Sequence, residues 1–365
     1  RKRLFDIIEE LVKWENINNE EVLNKAREEI LKSTGGNPPP FYDPFCGGGS
    51  IPLEAQRLGL KAYASDLNPV AVLITKALIE IPSKFANMPP VNPDARIQFD
   101  NSDNWRGAKG LAEDVRFYGN WMKEEAFKRI GHLYPKVKLP NEYGGGEATV
   151  IAWIWCRTVK CPNPACGIEM PLVSKFLLAQ KQNKYVWSKP IYIDKKLKFE
   201  VTQSYEEPID GTVNRKGAKC LYCGTPVSFE YIRDEGKNKK IKNSLMGIVA
   251  EGNKERIYLT ASENDIFNQN IYSDFLMDID ITPISGYFNP PIYGYDTIGS
   301  MFSVRQRKAL ECFTDLVLEA WNQCLIDSGN IEYANAIATY LTLALGRLSN
   351  RLSMFSIWNT KGEKI

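Results

Sequence analysis

The sequence predicts an α/β protein built on a strand–helix–strand unit, with a cysteine-bearing β region placed after it. Three observations carry that prediction. Asp43 ends an apolar run just before Gly47-Gly48-Gly49, and a helical pattern starts at Ser50. A second acidic residue, Asp66, follows 23 positions after Asp43, at the end of the next short apolar run. Two tight cysteine pairs, Cys161 with Cys166 and Cys220 with Cys223, come later in a stretch of alternating residues.

The 365 residues, 44% apolar and 25% charged, suit two or more domains with a sizeable core. Lys and Arg number 46 against 44 Asp and Glu, so the net charge of +2 argues against a general polyanion-binding surface and leaves only local basic patches. No apolar run reaches the length of a membrane span, and Arg1-Lys2-Arg3-Leu4-Phe5 lacks the apolar core of a secretory signal; the expectation is a cytoplasmic protein. Eight cysteines in this length do not make a disulfide scaffold. Cys46, Cys156, Cys312 and Cys324 are scattered and read as small buried hydrophobes.

In chain order, Leu4, Ile7, Ile8 and Leu11 recur at helical spacing, as do Val22, Leu23, Ala26 and Ile30 after a polar break, giving amino-terminal helices over 1–35. Gly35 to Pro40 forces an extended entry into the first strand, and a helix capped by Ser50 runs to a stop at Gly59. Lys61 to Ser65 reads as the next, buried strand, and Pro69 to Leu78 as a third helix. The unit 36–103 closes with a loop from Pro82 to Asp103. Residues 104–147 read as a helical insertion with its helix over Leu111 to Ile130; the only histidine, His132, follows as a helix-end residue. Residues 148–280 read as a β region opened by a strand over Ala148 to Thr158. Residues 281–365 hold two helices, Ser303 to Asp327 and Ile331 to Leu352, continuing the first domain. Lys195, Lys196 and Lys198, then Lys237, Lys239, Lys240 and Lys242, are either solvated hairpin tips or contacts to nucleic-acid phosphates.

Glycine allows positive φ and close approach of a ligand to the backbone. With Asp43 and Asp66 at two successive strand ends, Gly47 and Gly49 form a cradle for a nucleoside-bearing cofactor. A pyrophosphate would be repelled by Asp43, whereas an ammonium and a sulfonium would be attracted, which favours S-adenosylmethionine over a dinucleotide or other nucleotide. The cradle resembles that of class I methyltransferases, and the resemblance implies Asp43, Phe45, Gly47 and Gly49 on the cofactor's methionine half, and Asp66 and Asn68 on the ribose and adenine side. Cys161, Cys166, Cys220 and Cys223 read as two knuckles of a structural four-sulfur Zn2+ site, with unliganded thiols as the plain alternative. The 53 residues between the pairs are more than a compact ribbon uses. Phe288-Asn289-Pro290-Pro291-Ile292-Tyr293 approaches the acid or amide, Pro-Pro, aromatic motif that holds a target amine. Asn289, Pro290, Pro291 and Tyr293 are therefore candidate catalytic residues, although Ile292 stands where the aromatic would stack and an ordinary Pro-Pro turn explains the segment as well.

Taken together, these segments resemble the adenine-specific DNA methylases that contain a zinc ribbon, the group with an amino-terminal domain of unknown function numbered 1156. The resemblance runs through Leu11 to Asn16, Asp43 to Pro52, Ala64 to Val72, Arg129 to Pro135, the Cys161 knuckle and Phe302 to Arg307. It implies a class I S-adenosylmethionine-dependent methyltransferase core, Rossmann-like, with an inserted helical segment and a zinc-ribbon β region. The activity it implies is methyl transfer to the N6 amine of adenine in DNA, with the base drawn out of the duplex. The family's Asp-Pro-Pro-Tyr motif does not occur in this sequence, which implies a fragment or a divergent form. The alternatives are a zinc-ribbon nucleic-acid-binding protein with a non-catalytic methyltransferase fold, or a methyltransferase acting on RNA or a protein amide.

Overall fold

The computed structural model describes residues 2–98, 105–181, 184–253, 255–262, 273, 277–282 and 289–364. Phe288 and residues 99–103 of the expected loop lie outside them. The chain divides into two compact units, Arg1–Glu124 with Thr314–Gly346, and Glu125–Phe313 with Arg347–Ile365. Among the described residues no helix is long and apolar enough to cross a membrane.

Helices α1 (Lys2–Leu11) and α2 (Glu20–Ser33) come first, and Asn19 caps α2 by accepting from the amides of Glu21 and Val22. Strand β1 (Phe41–Asp43), helix α3 (Ser50–Arg57) and strand β2 (Ala62–Ala64) then form the expected strand–helix–strand unit. The two strands pair in parallel, with Phe41 opposite Ala62 and Asp43 opposite Ala64. Ser50 is the first helical residue and not the cap; the cap is Gly49, left-handed and without a side-chain hydrogen bond. Gly59, at φ 82°, ends the element as expected.

Helix α4 (Pro69–Thr75) runs through a π-helical turn over Lys76–Glu80 into α5 (Ile81–Lys84), and α6 covers Pro93–Gln98. The stretch after Pro82, expected as loop, thus carries two short helices. Pro93 opens α6, where no amide hydrogen is needed, and Pro82 follows the π-helical turn without a break, Glu80 and Ile81 keeping helical backbone angles. The long helix α7 spans Lys109–Ile130.

The β region contains β3 (Val137–Lys138), β4 (Glu147–Ala148), β5 (Val150–Lys160), β6 (Glu169–Leu172), β7 (Leu177–Lys181), β8 (Lys184–Ile193) and β9 (Lys196–Ser204). It continues through β10 (Val213–Asn214), β11 (Gly217–Lys219), β12 (Pro226–Val227), helix α8 (Phe229–Lys237), β13 (Lys242–Glu251) and β14 (Arg256–Leu259). Helices α9 (Val304–Ser328) and α10 (Ile331–Arg351) follow.

In the second unit the largest sheet has the order β14-β13-β5-β6, with β7-β8-β9 and β10-β11-β12 as separate sheets, all antiparallel. Six consecutive residues of β13, Leu245 to Ala250, are buried because apolar clusters cover both faces. Leu245, Ile248 and Ala250 face one cluster, and Met246 and Val249 face the others. The register shift between Leu245 and Gly247 absorbs the break in alternation. Gly247 fits there because a Cβ would already lie 3.0 Å from Val201 Cγ2.

The first unit is helical around its two short strands, and its centre is polar as well as apolar. Asp114 is fully buried and accepts from the amides of Val91 and Asn92, the Asn92 side chain and the Tyr333 hydroxyl. Tyr333 also packs edge-on against Phe85 at 5.0 Å. One carboxylate thereby ties α7, the segment before α6 and α10 together. Satisfied charged hydrogen bonds of this kind contribute roughly 1.5–3 kcal/mol each. The strand β2 is not buried as expected: Tyr63 is 48% exposed, and Tyr42 of β1 is 60% exposed. A pair of strands offers less cover than the many-stranded parallel sheets that bury theirs on both faces.

Candidate cofactor cradle and metal centre

The cradle is a turn that closes on itself. Phe45 N donates to Asp43 Oδ1 at 3.0 Å, Gly47 N to Asp66 Oδ2 at 2.9 Å and Asn68 N to Asp66 Oδ1 at 2.8 Å. Asp66 thus joins the β1–α3 loop to the loop after β2. Those amides, Asn68 first and then Gly47, hold its carboxyl below its usual pKa. Asn68 uses its side-chain oxygen to cap α4 at Val70 N. Gly47 and Gly49 have φ of 50° and 79°, conformations that side chains other than glycine resist. Gly49 has a second constraint, since a Cβ there would lie 2.7 Å from Thr75 Oγ1. Thr75 also approaches Cys46 Sγ at 3.4 Å, so it fixes the floor of the turn. The sequence carries no signal that singles out Thr75, because the contact joins residues far apart in the chain.

Phe45 projects from the cradle, 79% exposed. Asp43 differs from Asp66 in one respect: its Oδ2 is buried and has no hydrogen-bond partner among the described residues. A buried carboxylate oxygen without a donor is costly, and such groups in native folds call for a partner. The cradle thus carries an acceptor beside a loop whose glycines allow close approach.

The metal-capable site is built at two turns of the second unit. The β5–β6 turn carries Cys161 and Cys166, and the β11–β12 turn carries Cys220 and Cys223. Each is closed by a left-handed glycine, Gly167 at φ 59° and Gly224 at φ 75°. Cys161 N donates to Ile168 O and Cys220 N to Thr225 O, so both thiols project from hairpin ends. The four sulfurs lie within 4.8 Å of one another, a cluster able to coordinate a metal ion. The long spacing between the pairs has a structural reason, since β7, β8 and β9 are inserted between the two turns as a sheet of their own.

The thiols differ in surroundings. Cys161 and Cys220 are buried among Val159, Ile168, Met170 and Val227, and burial pushes the Cys161 thiol up to about 12 and raises Cys220. Cys223 is exposed, and the Thr225 hydroxyl 3.1 Å away holds its thiol down to about 6. Asn163 Nδ2 reaches Thr225 Oγ1 at 3.3 Å, linking the two turns. Asn163 and Thr225 are not among the residues expected from the sequence; their signal is position, Asn163 inside the first knuckle and Thr225 directly after the second.

The structure places Asn289, Pro290, Pro291 and Tyr293 against α8. Pro290–Tyr293 is a 3-10 turn, the backbone of Tyr293 packs against Gly236, and Tyr293 borders the apolar cluster around the cysteines. Asn289 Oδ1 is buried without a partner. The second lysine run is not a hairpin tip. Lys239 pairs with Asp296, Lys240 with Glu235 and Lys242 with Glu169. Asp296 and Glu169, brought in by other elements, and Glu235 of α8 offset three of its four charges; Lys237 has no ion-pair partner among the described residues. Lys195 does lie at a hairpin tip, the β8–β9 turn.

Residues 22–110 match the D12 class N6 adenine-specific DNA methyltransferases. The matched part contains the whole strand–helix–strand unit, Asp43, the glycines and Asp66, and the match supports a distant relationship over that part of the chain. No curated protein and no solved structure matches the chain.

Proposed function

We propose that the chain belongs to an S-adenosylmethionine-dependent methyltransferase acting on the N6 amine of adenine in DNA. The observation that carries this reading is Asp43 Oδ2, buried and without a hydrogen-bond partner among the described residues, on the residue that leads into the left-handed glycine turn. It is supported by the D12-class match over the same residues. The site fits a cofactor with a cationic amino-acid end and a ribose. Asp43 would accept from the ammonium, Gly47 and Gly49 would let the methionine half approach the backbone, and Phe45 would offer an apolar surface. Asp66 retains a lone pair on each oxygen for ribose hydroxyls after accepting from Gly47 and Asn68. When bound, the cofactor supplies an electrophilic methyl group. The chain's own part is to hold and orient, because the gain from positioning is large and Asp66 fixes the loop beforehand.

The cysteine cluster is read as a structural Zn2+ site. Four thiolates fill a tetrahedral shell and leave no position for a reactive water. A non-catalytic nucleic-acid-binding role is the second reading, favoured by the packing of Asn289 to Tyr293 against α8.

Calorimetry with S-adenosylmethionine tests the first reading. Binding by the wild-type chain that weakens about tenfold or more in Asp43→Asn, with an unchanged thermal midpoint, is the expected outcome. No heat of binding in the wild type would reject it.

A further inference from the structure

A third site lies in the second unit, at the carboxy-terminal end of α10, in a cleft of about 690 Å³. Arg347 and Arg351 stand four residues apart on that helix and both line the cleft. Among the described residues neither has an ion-pair partner, and no carboxylate lines the cleft. Like charges at this spacing repel on a bare helix, so the pair is a local field in want of an anion. The negative end of α10 offsets part of it, since Arg351 lies in the last turn. The Ser356 hydroxyl already bonds the carbonyls of Asn350 and Arg351, at 3.1 and 2.6 Å.

A further guanidinium adds to the field. Arg157 stacks 4.6 Å from the Phe355 ring and 5.2 Å from the Tyr295 ring, and donates Nε to Tyr295 Oη at 2.9 Å. It too has no ion-pair partner among the described residues. Phe302 and Phe355 give the cleft an aromatic surface, and Ser349 and Asn350 give it polar groups.

Arginines beside aromatic rings match a ligand that alternates phosphates with flat bases. We propose that this cleft binds a nucleic-acid strand, with Arg347 and Arg351 on backbone phosphates and Phe302 or Phe355 against a base. The choice of a strand over a free nucleotide rests on the DNA-directed reading above; the positive cleft itself does not. The net charge of +2 makes such a local field more telling, since the rest of the surface does not favour polyanions.

Fluorescence anisotropy of the full chain with a labelled duplex oligonucleotide, and with one of its strands, tests the proposal. Arg347→Ala with Arg351→Ala should weaken binding roughly tenfold or more at moderate salt, and should make the slope of log affinity against log salt shallower by about two. Arg347→Lys with Arg351→Lys keeps the charges and should retain most of the affinity, as should Lys195→Ala with Lys196→Ala. Unchanged affinity and slope in the alanine pair would overturn the proposal. Competition by inorganic phosphate or ATP as effective as that by the unlabelled strand would also overturn it, by making the cleft a small-anion site. If the alanine pair unfolds, the lysine pair decides, and loss of binding in a folded lysine pair counts against phosphate contacts made mainly through charge. Calorimetry with S-adenosylmethionine on the same variants separates the two readings: cofactor binding should be unaltered by either pair, and its absence in the wild type would remove the methyltransferase reading while leaving the strand result standing.

Discussion

At the β1–α3 turn, Gly47 and Gly49 hold a loop that the protein's own Asp66 already closes through two backbone amides. At the β5–β6 and β11–β12 turns, Gly167 and Gly224 close loops that bring four sulfurs within 4.8 Å of one another. Both places use left-handed glycine, but the hydrogen-bond accounts differ. In the cradle, backbone donors and a carboxylate satisfy each other, so the loop should keep its shape without a ligand and bind by accepting one. In the cysteine cluster, four thiolates in one place would repel, so a cation is needed to make deprotonation of all four favourable, the buried Cys161 and Cys220 above all.

The largest effect should come from the cluster. Cys220→Ser, at a buried sulfur, should lower bound zinc well below one equivalent and cost about 4 kcal/mol or more in stability, as read by metal analysis and thermal unfolding. A chelator should do the same to the wild type and leave S-adenosylmethionine binding in the cradle intact. Zinc retention should fall as pH falls, because protons compete for the thiolates. Loss of metal with no change in melting would break the contrast.

Gly49→Ala comes next. With φ at 79° and a Cβ 2.7 Å from Thr75 Oγ1, it should cost about 2 kcal/mol in urea unfolding. Asp66→Ala frees the amides of Gly47 and Asn68, and cofactor affinity should fall about tenfold by calorimetry, because the loop is no longer held before binding. Its carboxyl pKa is depressed in the fold, so its contribution is fully present above the unfolded carboxylate pKa and is lost as pH falls through the depressed value. The stability difference between wild type and Asp66→Asn should therefore be flat through neutral pH and shrink only in acid. The smallest effect is Gly48→Ala, where a Cβ meets nothing within 4 Å: stability should stay within about 0.5 kcal/mol. A drop in cofactor affinity there without a drop in stability would sharpen the case that ligand, not fold, needs the middle glycine.

Much of this was legible in the sequence because it is local. The positions of Asp43 and Asp66, the glycine stops and the two cysteine knuckles depend on neighbours within a turn, and periodicity placed α7, α9 and α10 to within two residues. Helix α6 was hidden by a proline that is compatible with a first turn, and α5 by a proline that follows a π-helical turn.

What only the tertiary structure decided are the encounters between residues distant in the chain. The convergence of Cys161 and Cys166 on Cys220 and Cys223 depends on β7, β8 and β9 looping out between them. The neutralisation of Lys239 and Lys242 depends on Asp296 and Glu169 arriving from other elements. That Asp43 Oδ2, Arg347 and Arg351 have no partner among the described residues depends on which donors and acceptors lie near them. The sequence by itself determined which groups are present and how each short turn is shaped; burial and long-range pairing, which no local pattern encodes, decided which of those groups are left to bind something else.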